Sequence, residues 1–574
     1  MITLTIDGRE VQVETGSTIL EAAQAAGINI PTLCHHPELR PEGACRICVV
    51  EVENARTLLA SCVHPAADGM VVRTNTPRVR EARRNIVELL LANHPSDCLI
   101  CDRNNNCELQ KLAHDLGVRE IKYSGVKRSW NKDEANPALI RDPDKCILCG
   151  RCVRVCNEVQ EVGTLYYSYR GFDTLVAPAF ERSLADTACV YCGQCSIVCP
   201  TGAIVEKSYI EDVWNALADP EKHVIVQTAP AVRVAIGEEF GQAPGSVTTG
   251  KLVAGLRRLG FAAVFDTDFA ADLTIMEEGH ELIQRLQTGG TLPLITSCSP
   301  GWIKFIEHNF PQLLPHLSSC KSPQQMFGAV AKTYYADKIG LPPEKVYVVS
   351  IMPCTAKKFE AQRPEMGRNG IPDVDAVLTT RELGRMLKEA GVDFNRLPDE
   401  EYDDPLGIST GAGVIFGATG GVMEAALRTA VEVVTKEELK DINFTQVRGL
   451  EGVKEATIEV GDLQLKVAVA HGLANARKLM EKLAAGEADY HFIEIMTCPG
   501  GCIGGGGQPI PVDREARQAR IAGIYKADES FTLRKSHENP AVQQLYKEFL
   551  GEPLSEKAHQ LLHTTYTPRN PFGN

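Results

Sequence analysis

The residues with the most readily interpreted chemistry in this sequence are its 20 cysteines, most of which stand two or three residues from the next. Thiolates at such spacings bind metals, and the chain opens on an alternating, strand-like segment that lacks the pattern of an export signal. Metal ligation is therefore favoured over a disulfide framework. The most specific motifs are CILCGRCVRVC and CVYCGQCSIVC, which follow the C-x2-C-x2-C-x3-C pattern of proteins with two [4Fe–4S] cubes.

Three further predictions follow from cysteine spacing. In two-cube proteins the fourth cysteine of each motif ligates the cube of the other motif. The sequence therefore predicts one cube on Cys146, Cys149, Cys152 and Cys199, and another on Cys189, Cys192, Cys195 and Cys156. It also predicts a [2Fe–2S] cluster on Cys34, Cys45, Cys48 and Cys62, with a four-thiolate zinc site as the alternative.

An imidazole joins the fourth group, which consists of His94, Cys98, Cys101 and Cys107. By spacing alone this group suits zinc and a [4Fe–4S] cube equally well. Its position beside the other predicted clusters favours iron–sulfur. Four clusters in succession indicate a path for single electrons.

The second half of the chain holds cysteines that are spaced much more widely. From about residue 222, short apolar strands alternate with helical segments, which is typical of an α/β fold. Cys298, Cys354 and Cys498 each follow a predicted strand, where α/β proteins place their ligand crevice. Cys502 precedes the glycine run 504–507, which would let the backbone approach an inorganic group. We expect these cysteines to converge on one buried site, and we interpret Cys320 as structural.

The motifs TSCSPGW, MPCTAKKFE and EIMTCPGGCIGGGG resemble the three signature motifs of the [FeFe]-hydrogenases, and the resemblance extends over essentially the whole chain. It implies reversible formation of H₂ from protons and electrons at an H-cluster, a [4Fe–4S] cube joined to a diiron unit with CO, cyanide and azadithiolate. It implies that Cys354, Cys498 and Cys502 ligate the cube, that Cys502 is shared with the diiron unit, and that Lys357 hydrogen-bonds a cyanide. The resemblance and the glycine run add these pocket residues: Met352, Met496, Gln324, Pro230, Ala231, Ser322, Pro323, Phe416, Gly504 and Gly505.

Two positions depart from the family pattern. Well-studied members have two adjacent cysteines where this chain has Cys298 and Ser299, the first a proton relay and the second a cube ligand. We hypothesise a local shift that lets Cys298 ligate the cube and leaves Ser299 near the open iron; an oxygen-ligated cube and a damaged site are the alternatives. Ala231 stands where related enzymes often have a serine beside a cyanide.

A proton path is also predicted. Glu278, Glu281 and Arg285 fall on one face of a predicted helix. With Ser318, they match the relay that the family uses between the surface and the site. The alternative is an ordinary solvated face of charged residues.

The predicted fold class is multidomain α+β and α/β, with ferredoxin-type domains before an α/β [FeFe]-hydrogenase catalytic domain and a small helical C-terminal segment. The predicted boundaries are 1–78 for the [2Fe–2S] domain, 79–118 for the His/Cys domain, 119–138 for a connector, 139–209 for the two-cube domain, 210–510 for the catalytic domain and 511–574 for the C-terminal segment.

Charge and composition limit the partners. A net charge of −14 argues against binding nucleic acid or an anionic membrane, and no apolar run is long enough to span a bilayer, so we expect a cytoplasmic protein. The chain contains no convincing dinucleotide-binding motif of the G-x-G-x-x-G type, so we do not expect it to bind NAD itself. Electrons are expected from ferredoxin, or from a flavin- and NAD-binding subunit with small iron–sulfur subunits. QTAPAVR and TSCSPGW resemble the multimeric, NAD-linked kind, which includes electron-bifurcating enzymes.

Two other functions stay open at this point. The N-terminal part resembles the iron–sulfur subunit of respiratory NADH dehydrogenases, which conducts electrons without its own catalysis. The second open function is that of a non-turnover H₂ sensor or an iron–sulfur assembly protein on the same fold.

Overall fold

The computed structural model describes residues 1–439, 441–461 and 463–570. The chain divides into two compact units. The first comprises Met1–Glu158, Gly163–Ala185 and Val198–Val205, and the second comprises Val159–Val162, Asp186–Ile197 and Glu206–Asn574. Segment 139–209, predicted as one domain, therefore contributes to both units. None of the described helices is both long and apolar enough to cross a lipid bilayer.

The first unit opens with a five-stranded sheet that begins with the predicted hairpin. Ile2–Ile6 pairs antiparallel with Arg9–Val13, and the turn places Asp7 and Gly8 at positive φ, which glycine adopts without steric cost. The order of strands across the sheet is Arg9–Val13, Ile2–Ile6, Val71–Arg73, Val49–Val52 and Leu59–Ala60.

Helix Ile19–Ala25 begins at the predicted capping box. The Glu21 amide donates to the Thr18 hydroxyl oxygen, and the Thr18 amide donates to the Glu21 carboxylate. These bonds satisfy amides that have no partner inside the helix. The other helices of this unit are Pro77–Asn93, Glu108–Asp115 and Arg151–Arg154, its other strands are Leu139–Arg141, Tyr166–Ser168 and Leu175–Ala177, and Ile204–Glu206 continues into the second unit.

The second unit contains two four-stranded sheets, and all the short apolar segments that the sequence predicts as strands lie in them. The first sheet is parallel throughout, in the order Ala263–Asp266, His223–Thr228, Val346–Met352 and Ala376–Thr379. The order in the second is Leu294–Ile295, Phe492–Met496, Leu463–His471 and Val453–Val460. Only the last pair in that order is antiparallel, and neither of its two strands was predicted. The parallel strands are buried on both faces, which explains their continuous apolar sequences.

Helices connect these strands. Thr267–Thr288 has 22 residues and begins at Asp266, whose side chain accepts a hydrogen bond from the Asp268 amide. The other helices before the C-terminal segment are Gln194–Ile197, Ile210–Ala218, Thr249–Leu259, Pro300–Asn309, Pro323–Val330, Ala336–Ile339, Ala356–Glu360, Thr380–Glu389, Gly411–Ile415, Gly421–Thr435 and Leu473–Ala484. A two-stranded ribbon is formed by Gly367–Arg368 and Ile371–Pro372.

The C-terminal segment is helical, as predicted, with helices Arg514–Ser530, Pro540–Leu545 and Glu556–Leu562. After the last helix the chain pairs with the loop that precedes helix Pro323–Val330. The Thr564 amide donates to the Ser319 carbonyl at 2.7 Å, and Cys320 forms an antiparallel bridge with His563. The end of the chain is thereby attached to a loop that carries part of the predicted proton path.

Candidate metal centre and proton path

The four cysteines predicted to hold a [2Fe–2S] cluster converge in the first unit. The Cys34 amide lies 3.4 Å from the Cys45 Sγ, and the Cys45 amide lies 3.5 Å from the Cys34 Sγ. Hydrogen bonds from Cys45 and then Cys62 lower the pKa of the Cys34 thiol, and the Cys62 thiol likewise lowers the pKa of Cys48. The same hydrogen bonds raise the pKa of the Cys45 and Cys62 thiols, so the four sulfurs are close enough to share protons. A bound metal would displace these protons, and the compact donor set fits metal ligation.

His94 has one ring nitrogen that suits a metal. Its Nδ1 lies 2.7 Å from the Pro95 carbonyl oxygen, whereas its buried Nε2 has no hydrogen-bond partner of ordinary geometry among the described residues. A ligating histidine commonly bonds a carbonyl with one nitrogen and the metal with the other. Cys107 and Cys101 are close enough to interact electrostatically. The donor set of His94, Cys98, Cys101 and Cys107 therefore fits a metal cluster.

A cavity in the first unit joins the cysteines predicted for one accessory cube. It contains about 430 Å³ of empty space, its mouth included. Burial raises the pKa of the Cys146 thiol to about 11, so its deprotonation needs the charge of bound iron. The cysteines that line this cavity are Cys146, Cys149, Cys152 and Cys199.

Arginine side chains donate hydrogen bonds to the backbone carbonyls of the same cysteines. Arg103 donates to the Cys199 carbonyl oxygen at 3.0 Å. Arg154 donates to the carbonyl oxygens of Cys34, at 2.7 Å, and Cys149, at 3.3 Å. Arg154 thus connects the loops of two predicted clusters. Positive charge at these positions offsets the negative charge of thiolate-bound clusters, and it favours their reduced states.

The ligands predicted for the other accessory cube lie in both units. Cys156 belongs to the first unit, where the Thr164 amide donates to its Sγ at 3.5 Å. Cys189, Cys192 and Cys195 belong to the second unit, where Lys304 donates to the Cys189 carbonyl oxygen at 2.6 Å. A cube shared by these four cysteines stays a prediction.

A larger cavity lies in the second unit where strands of both its sheets end, with about 800 Å³ of empty space, its mouth included. Cys354 follows strand Val346–Met352 of one sheet, and Cys498 follows strand Phe492–Met496 of the other. Cys502 stands at the next turn. All three cysteines line the cavity, so the fold brings together residues that are far apart in the sequence.

The surroundings of these thiols indicate a site for a cation. Burial, followed by the negative charges of Cys354 and Cys192, raises the pKa of the Cys498 thiol. Burial also raises the pKa of Cys502 to about 12. Three neighbouring thiols in such a place lose their protons when a positively charged metal compensates the charge, so the donor set fits an iron–sulfur cube. Cys192 lines the same cavity, which places a predicted accessory-cube ligand beside the catalytic cysteines.

The glycine run 504–507 also allows close packing of the backbone around the cavity. Gly505 lines the cavity, and a Cβ at this position would lie 2.1 Å from the Pro353 carbonyl oxygen. Gly504 lies outside the lining, and a Cβ there would lie 2.1 Å from the Pro499 carbonyl oxygen. The prediction of direct cofactor contact is therefore corrected for Gly504, which is required because the loop folds back on its own backbone.

Apolar side chains and one cation form the remaining wall. Lys357 is the only charged residue among the described residues that line the cavity. Its Nζ donates to the Cys298 carbonyl oxygen at 3.1 Å and to a carboxylate oxygen of Glu360 at 2.9 Å. The predicted residues that line the cavity beside it are Pro230, Pro323, Gln324, Met352, Phe416 and Met496.

Two predicted pocket residues lie behind the cavity wall. The Ala231 carbonyl accepts a hydrogen bond from the Gln508 side chain at 3.1 Å, and the Ser322 hydroxyl donates to Glu360 at 2.8 Å. The prediction of direct cofactor contact is therefore corrected for both. Sequence analysis missed Glu360, which orients Lys357, although it stands one helical turn after Lys357 in MPCTAKKFE.

Cys298 and Ser299 both line the cavity and face different neighbours. Burial and then the charge of Glu278 raise the pKa of the Cys298 thiol, so Cys298 lies beside the predicted proton path. The Ser299 Oγ lies 2.7 Å from the Thr497 hydroxyl and accepts a hydrogen bond from the Thr497 amide at 3.2 Å, directly before Cys498. Cys298 also interacts electrostatically with Cys502, so the choice between Cys298 and Ser299 as the cube ligand stays a prediction.

The predicted proton-path residues form a connected series inside helix Thr267–Thr288 and the facing loop. Burial raises the pKa of Glu278 to about 8, and a hydrogen bond with Ser318 partly opposes this shift. The single hydroxyl hydrogen of Ser318 is donated to Glu281 at 3.3 Å, so the Ser318 oxygen can accept from the protonated Glu278, and Arg285 donates to Glu281 at 2.5 Å. Glu278 and Glu281 are buried, so the alternative of a solvated charged face is wrong.

Models of five protein families match the chain. Residues 222–506 match the iron only hydrogenase large subunit, C-terminal domain, and residues 514–569 match the iron hydrogenase small subunit. Residues 1–77 match a 2Fe-2S iron-sulfur cluster binding domain, and residues 145–203 match a 4Fe-4S dicluster domain. Residues 83–122 match the NADH-ubiquinone oxidoreductase-G iron-sulfur binding region. The chain therefore contains domains for all the cofactors predicted from its sequence.

Individual relatives agree with these matches. The NADP-reducing hydrogenase subunit HndD of Solidesulfovibrio fructosivorans is 56% identical over 99% of both chains. Iron hydrogenase 1 of Clostridium pasteurianum is 44% identical over 99% of this chain and 100% of its own length. Cytosolic iron-sulfur assembly component 3 of Rattus norvegicus is 33% identical over 66% of this chain and 82% of its own. The solved structure of an apo [FeFe]-hydrogenase HydA1 variant from Chlamydomonas reinhardtii is 47% identical with a TM-score of 0.58, over 63% of this chain and 100% of its own.

Proposed function

The chain belongs to the iron-only, or [FeFe], hydrogenase family, and on this premise we propose that it catalyses 2H⁺ + 2e⁻ ⇌ H₂ with electrons that pass along its iron–sulfur clusters. One observation carries the proposal: three cysteines from remote strand ends line a single buried cavity together with Lys357. An electron conduit without its own chemistry has no need of such a cavity, so the NADH dehydrogenase alternative is disfavoured.

The cavity residues have distinct parts in this proposal. Cys354, Cys498 and Cys502 would hold the cube, and Cys502 would also hold the diiron unit. When bound, the diiron unit supplies the centre at which H₂ is formed or cleaved, and the cubes supply the electrons. Lys357, oriented by Glu360, provides a positive charge and a hydrogen-bond donor toward the cyanide ligands.

The rest of the wall excludes water, and the relay moves protons. Met352, Met496 and Phe416 give the cavity an apolar lining, which strengthens electrostatic interactions inside it. Glu278 and the thiol of Cys298 transfer protons between this cavity and the outer residues of the path. Cys192, a predicted ligand of an accessory cube, also lines the cavity, so electrons would enter the catalytic site from this cube.

We further propose that the Ser299 oxygen is the fourth ligand of the catalytic cube. A cube needs four ligands, and the cavity offers three cysteines in addition to Cys298 and Ser299. Cys298 lies beside Glu278, whereas Ser299 lies beside Thr497, the residue before a cube ligand. Thr497 offers an amide and a hydroxyl to the serine oxygen, and hydrogen bonds of this kind stabilise an anionic ligand.

Spectroscopy of protein produced without the maturation proteins, which then carries only cubes and the [2Fe–2S] cluster, tests this ligand. We expect Ser299→Ala to lose the electron paramagnetic resonance signal of the catalytic cube, because alanine offers no ligand atom. Ser299→Cys should keep the signal with a changed reduction potential, since a thiolate binds iron more strongly than an alkoxide. If Cys298→Ala loses the signal and Ser299→Ala keeps it, the assignment is reversed.

The electron acceptor is proposed from the relatives. HndD is named as a subunit of an NADP-reducing hydrogenase, and it aligns with this chain from end to end. We therefore propose that this chain is the catalytic subunit of a hetero-oligomer and that NADP, instead of the NAD favoured by the sequence analysis, is the linked cofactor. Ferredoxin as a further donor, electron bifurcation and a cytoplasmic location remain parts of the proposal.

Two measurements test the function. Matured protein should show CO and cyanide infrared bands and should produce H₂ from reduced methyl viologen. Protein with these bands and no turnover would instead support the sensor alternative. In native material, H₂-dependent reduction of NADP⁺ should require partner subunits that co-purify with the chain. Reduction of NAD⁺ in preference to NADP⁺ would contradict the cofactor assignment.

The assembly-protein alternative is disfavoured by the extent of the match. The assembly component from Rattus norvegicus aligns with 66% of this chain, whereas the two hydrogenases align with 99%. Infrared bands in matured protein would also distinguish these two functions.

A further inference from the structure

The outer end of the predicted proton path contains a residue that cannot pass a proton on. Arg285 donates to Glu281 at 2.5 Å, and its side chain is the more exposed of the two. A guanidinium remains protonated in proteins at all ordinary pH values, so it cannot alternate between accepting and releasing a proton. Glu281 therefore needs another titratable neighbour if it exchanges protons with the solvent.

The C-terminal segment supplies such a neighbour. The Ser319 hydroxyl donates to Glu281 at 3.0 Å and lies 2.8 Å from the Nδ1 of His563. The other ring nitrogen of His563, Nε2, lies 2.9 Å from a carboxylate oxygen of Glu277. A continuous series of hydrogen bonds thus runs from Glu277 through His563 and Ser319 to Glu281.

Both ends of this series have suitable neighbours. At the inner end, Ser318 links Glu281 to Glu278, as described above. At the outer end, the exposed ring of His559 packs against His563, with ring centres 4.2 Å apart. The surface imidazole thus packs directly on His563, and hydrogen bonds continue from His563 to the carboxylate beside Cys298.

We infer that His563 is a proton-transfer residue of this enzyme and that it joins His559 at the surface to Glu281 through Ser319. This inference rests on the proposed hydrogenase function. In H₂ formation, a proton from the side of His559 binds His563, so that Nε2–H donates to Glu277 and Nδ1–H donates to Ser319, and the proton on Nδ1 then moves to the Ser319 oxygen. The Ser319 hydroxyl proton moves to Glu281 in the same step. The Ser319 hydroxyl is regenerated, and the imidazole keeps its hydrogen on Nε2 until the next proton binds at Nδ1. Each passage therefore transfers one proton inward, and H₂ oxidation reverses it.

Imidazole is suited to this task because its ring carries a donor and an acceptor on different edges. Glu277 is itself held by the Tyr546 hydroxyl and by the Leu554 amide, the latter at 3.0 Å. The Cys320 Sγ donates a long hydrogen bond to Glu281 at 4.0 Å, so its thiol contacts the inner end of the series without linking His563 to Ser319. The titratable and charged groups that face His563 and its partners are Glu277, Glu281, Arg285, Cys320, Tyr546 and His559.

The variant His563→Gln tests the inference, because glutamine keeps a hydrogen-bonding side chain but cannot accept and release a proton. We expect H₂ production from reduced methyl viologen to slow by about 10²-fold or more, because Arg285 cannot take over the proton transfer. The H₂O/D₂O rate ratio should increase as proton delivery limits turnover. Added imidazole should restore the rate of His563→Ala.

A second measurement does not depend on turnover. The infrared carbonyl band of protonated Glu278, identified by its absence in Glu278→Gln, shifts when the buried proton exchanges for deuterium. After mixing with D₂O, we expect this shift to be slower in His563→Gln than in the wild type. Equal exchange rates would overturn the inference even in protein without hydrogen turnover. Loss of turnover in the wild type would instead count against the proposed function alone.

Tyr566→Phe is the matched control. The Tyr566 hydroxyl donates to the Cys320 carbonyl oxygen at 3.3 Å, so it attaches the same segment to the same loop without joining the proton series. Its rate, isotope effect and exchange rate should equal those of the wild type. If Tyr566→Phe changes them as much as His563→Gln does, the role of His563 is structural. Should His563→Gln fail to fold, Ser319→Ala interrupts the series at the next bond, with the same expected results.

Discussion

Cys502→Ala is expected to abolish hydrogen turnover, with a loss of at least about 10³-fold, the scale seen when a group that holds the reacting centre is removed. Cys502 lies in the buried cavity with Cys354 and Cys498, and its sulfur is proposed to join the cube to the diiron unit. Alanine offers no ligand atom, so both parts of the cofactor lose an anchor. Gas chromatography of H₂ and infrared spectra of the CO and cyanide bands would measure the two losses together.

Cys320→Ala is the control for this experiment. Cys320 is fully buried, lies outside the cavity lining and packs in the core of the second unit, whereas Cys502 lines the cavity and is partly exposed. Removing its sulfur should leave the CO and cyanide infrared bands unchanged, and these bands are the readout of this control because the Cys320 thiol contacts Glu281 of the proton path. Wild-type bands in Cys502→Ala, or equal losses in both variants, would contradict the proposed role of Cys502.

Glu278→Gln is expected to lower the rate in both directions by about 10²–10⁴-fold, which is the usual contribution of a positioned acid or base. Glutamine has nearly the same shape and keeps the hydrogen bond with Ser318, but it cannot exchange a proton. The infrared spectrum of the cofactor and the reduction of the accessory clusters should be unchanged, since neither depends on proton transfer. A rate within about threefold of the wild type would show that protons take another route.

The pH dependence of the wild type follows from the same residue. Burial raises the pKa of Glu278 to about 8, so the carboxyl group keeps its proton at neutral pH and can donate it toward Cys298. We expect the rate of H₂ production to decline above about pH 8, where Glu278 loses its proton. The rate of H₂ oxidation should increase over the same pH range, because the deprotonated carboxylate can accept a proton. Rates measured in both directions across this range would test the assignment, and Glu278→Gln should lack this inflection.

Stability should depend on pH in the corresponding sense. The folded pKa of Glu278 is about 8, above its ordinary value of 4.5, so the folded protein binds this proton more tightly than the unfolded chain does. The proton on Glu278 therefore stabilises the folded protein fully when the pH is below the ordinary pKa of 4.5. This contribution to the free energy of unfolding is lost as the pH rises through the folded pKa of about 8. Thermal unfolding at about pH 5 and about pH 9 should show Glu278→Gln gaining stability relative to the wild type at the higher pH. A constant difference would contradict the assigned pKa.

Much of the architecture was predictable because it depends on local patterns. Thr18 and Glu21 lie three residues apart and cap one helix, and the apolar runs that end near Met352 and Met496 are strands. Cysteines two or three residues apart indicate their ligand sets without any knowledge of the fold. The family resemblance added the pocket motifs, of which Gly505 and Lys357 do line the cavity.

The tertiary structure decided the contacts between remote segments. The sequence indicates that Cys298 and Ser299 are adjacent, but only the packing of Thr497 and Glu278 shows which way each side chain faces. In the same way, no local pattern indicates that His563 meets Glu281 through Ser319. Local patterns follow from the geometry of one helix or strand, whereas these contacts depend on how separate elements pack, which short spacing in the sequence does not encode.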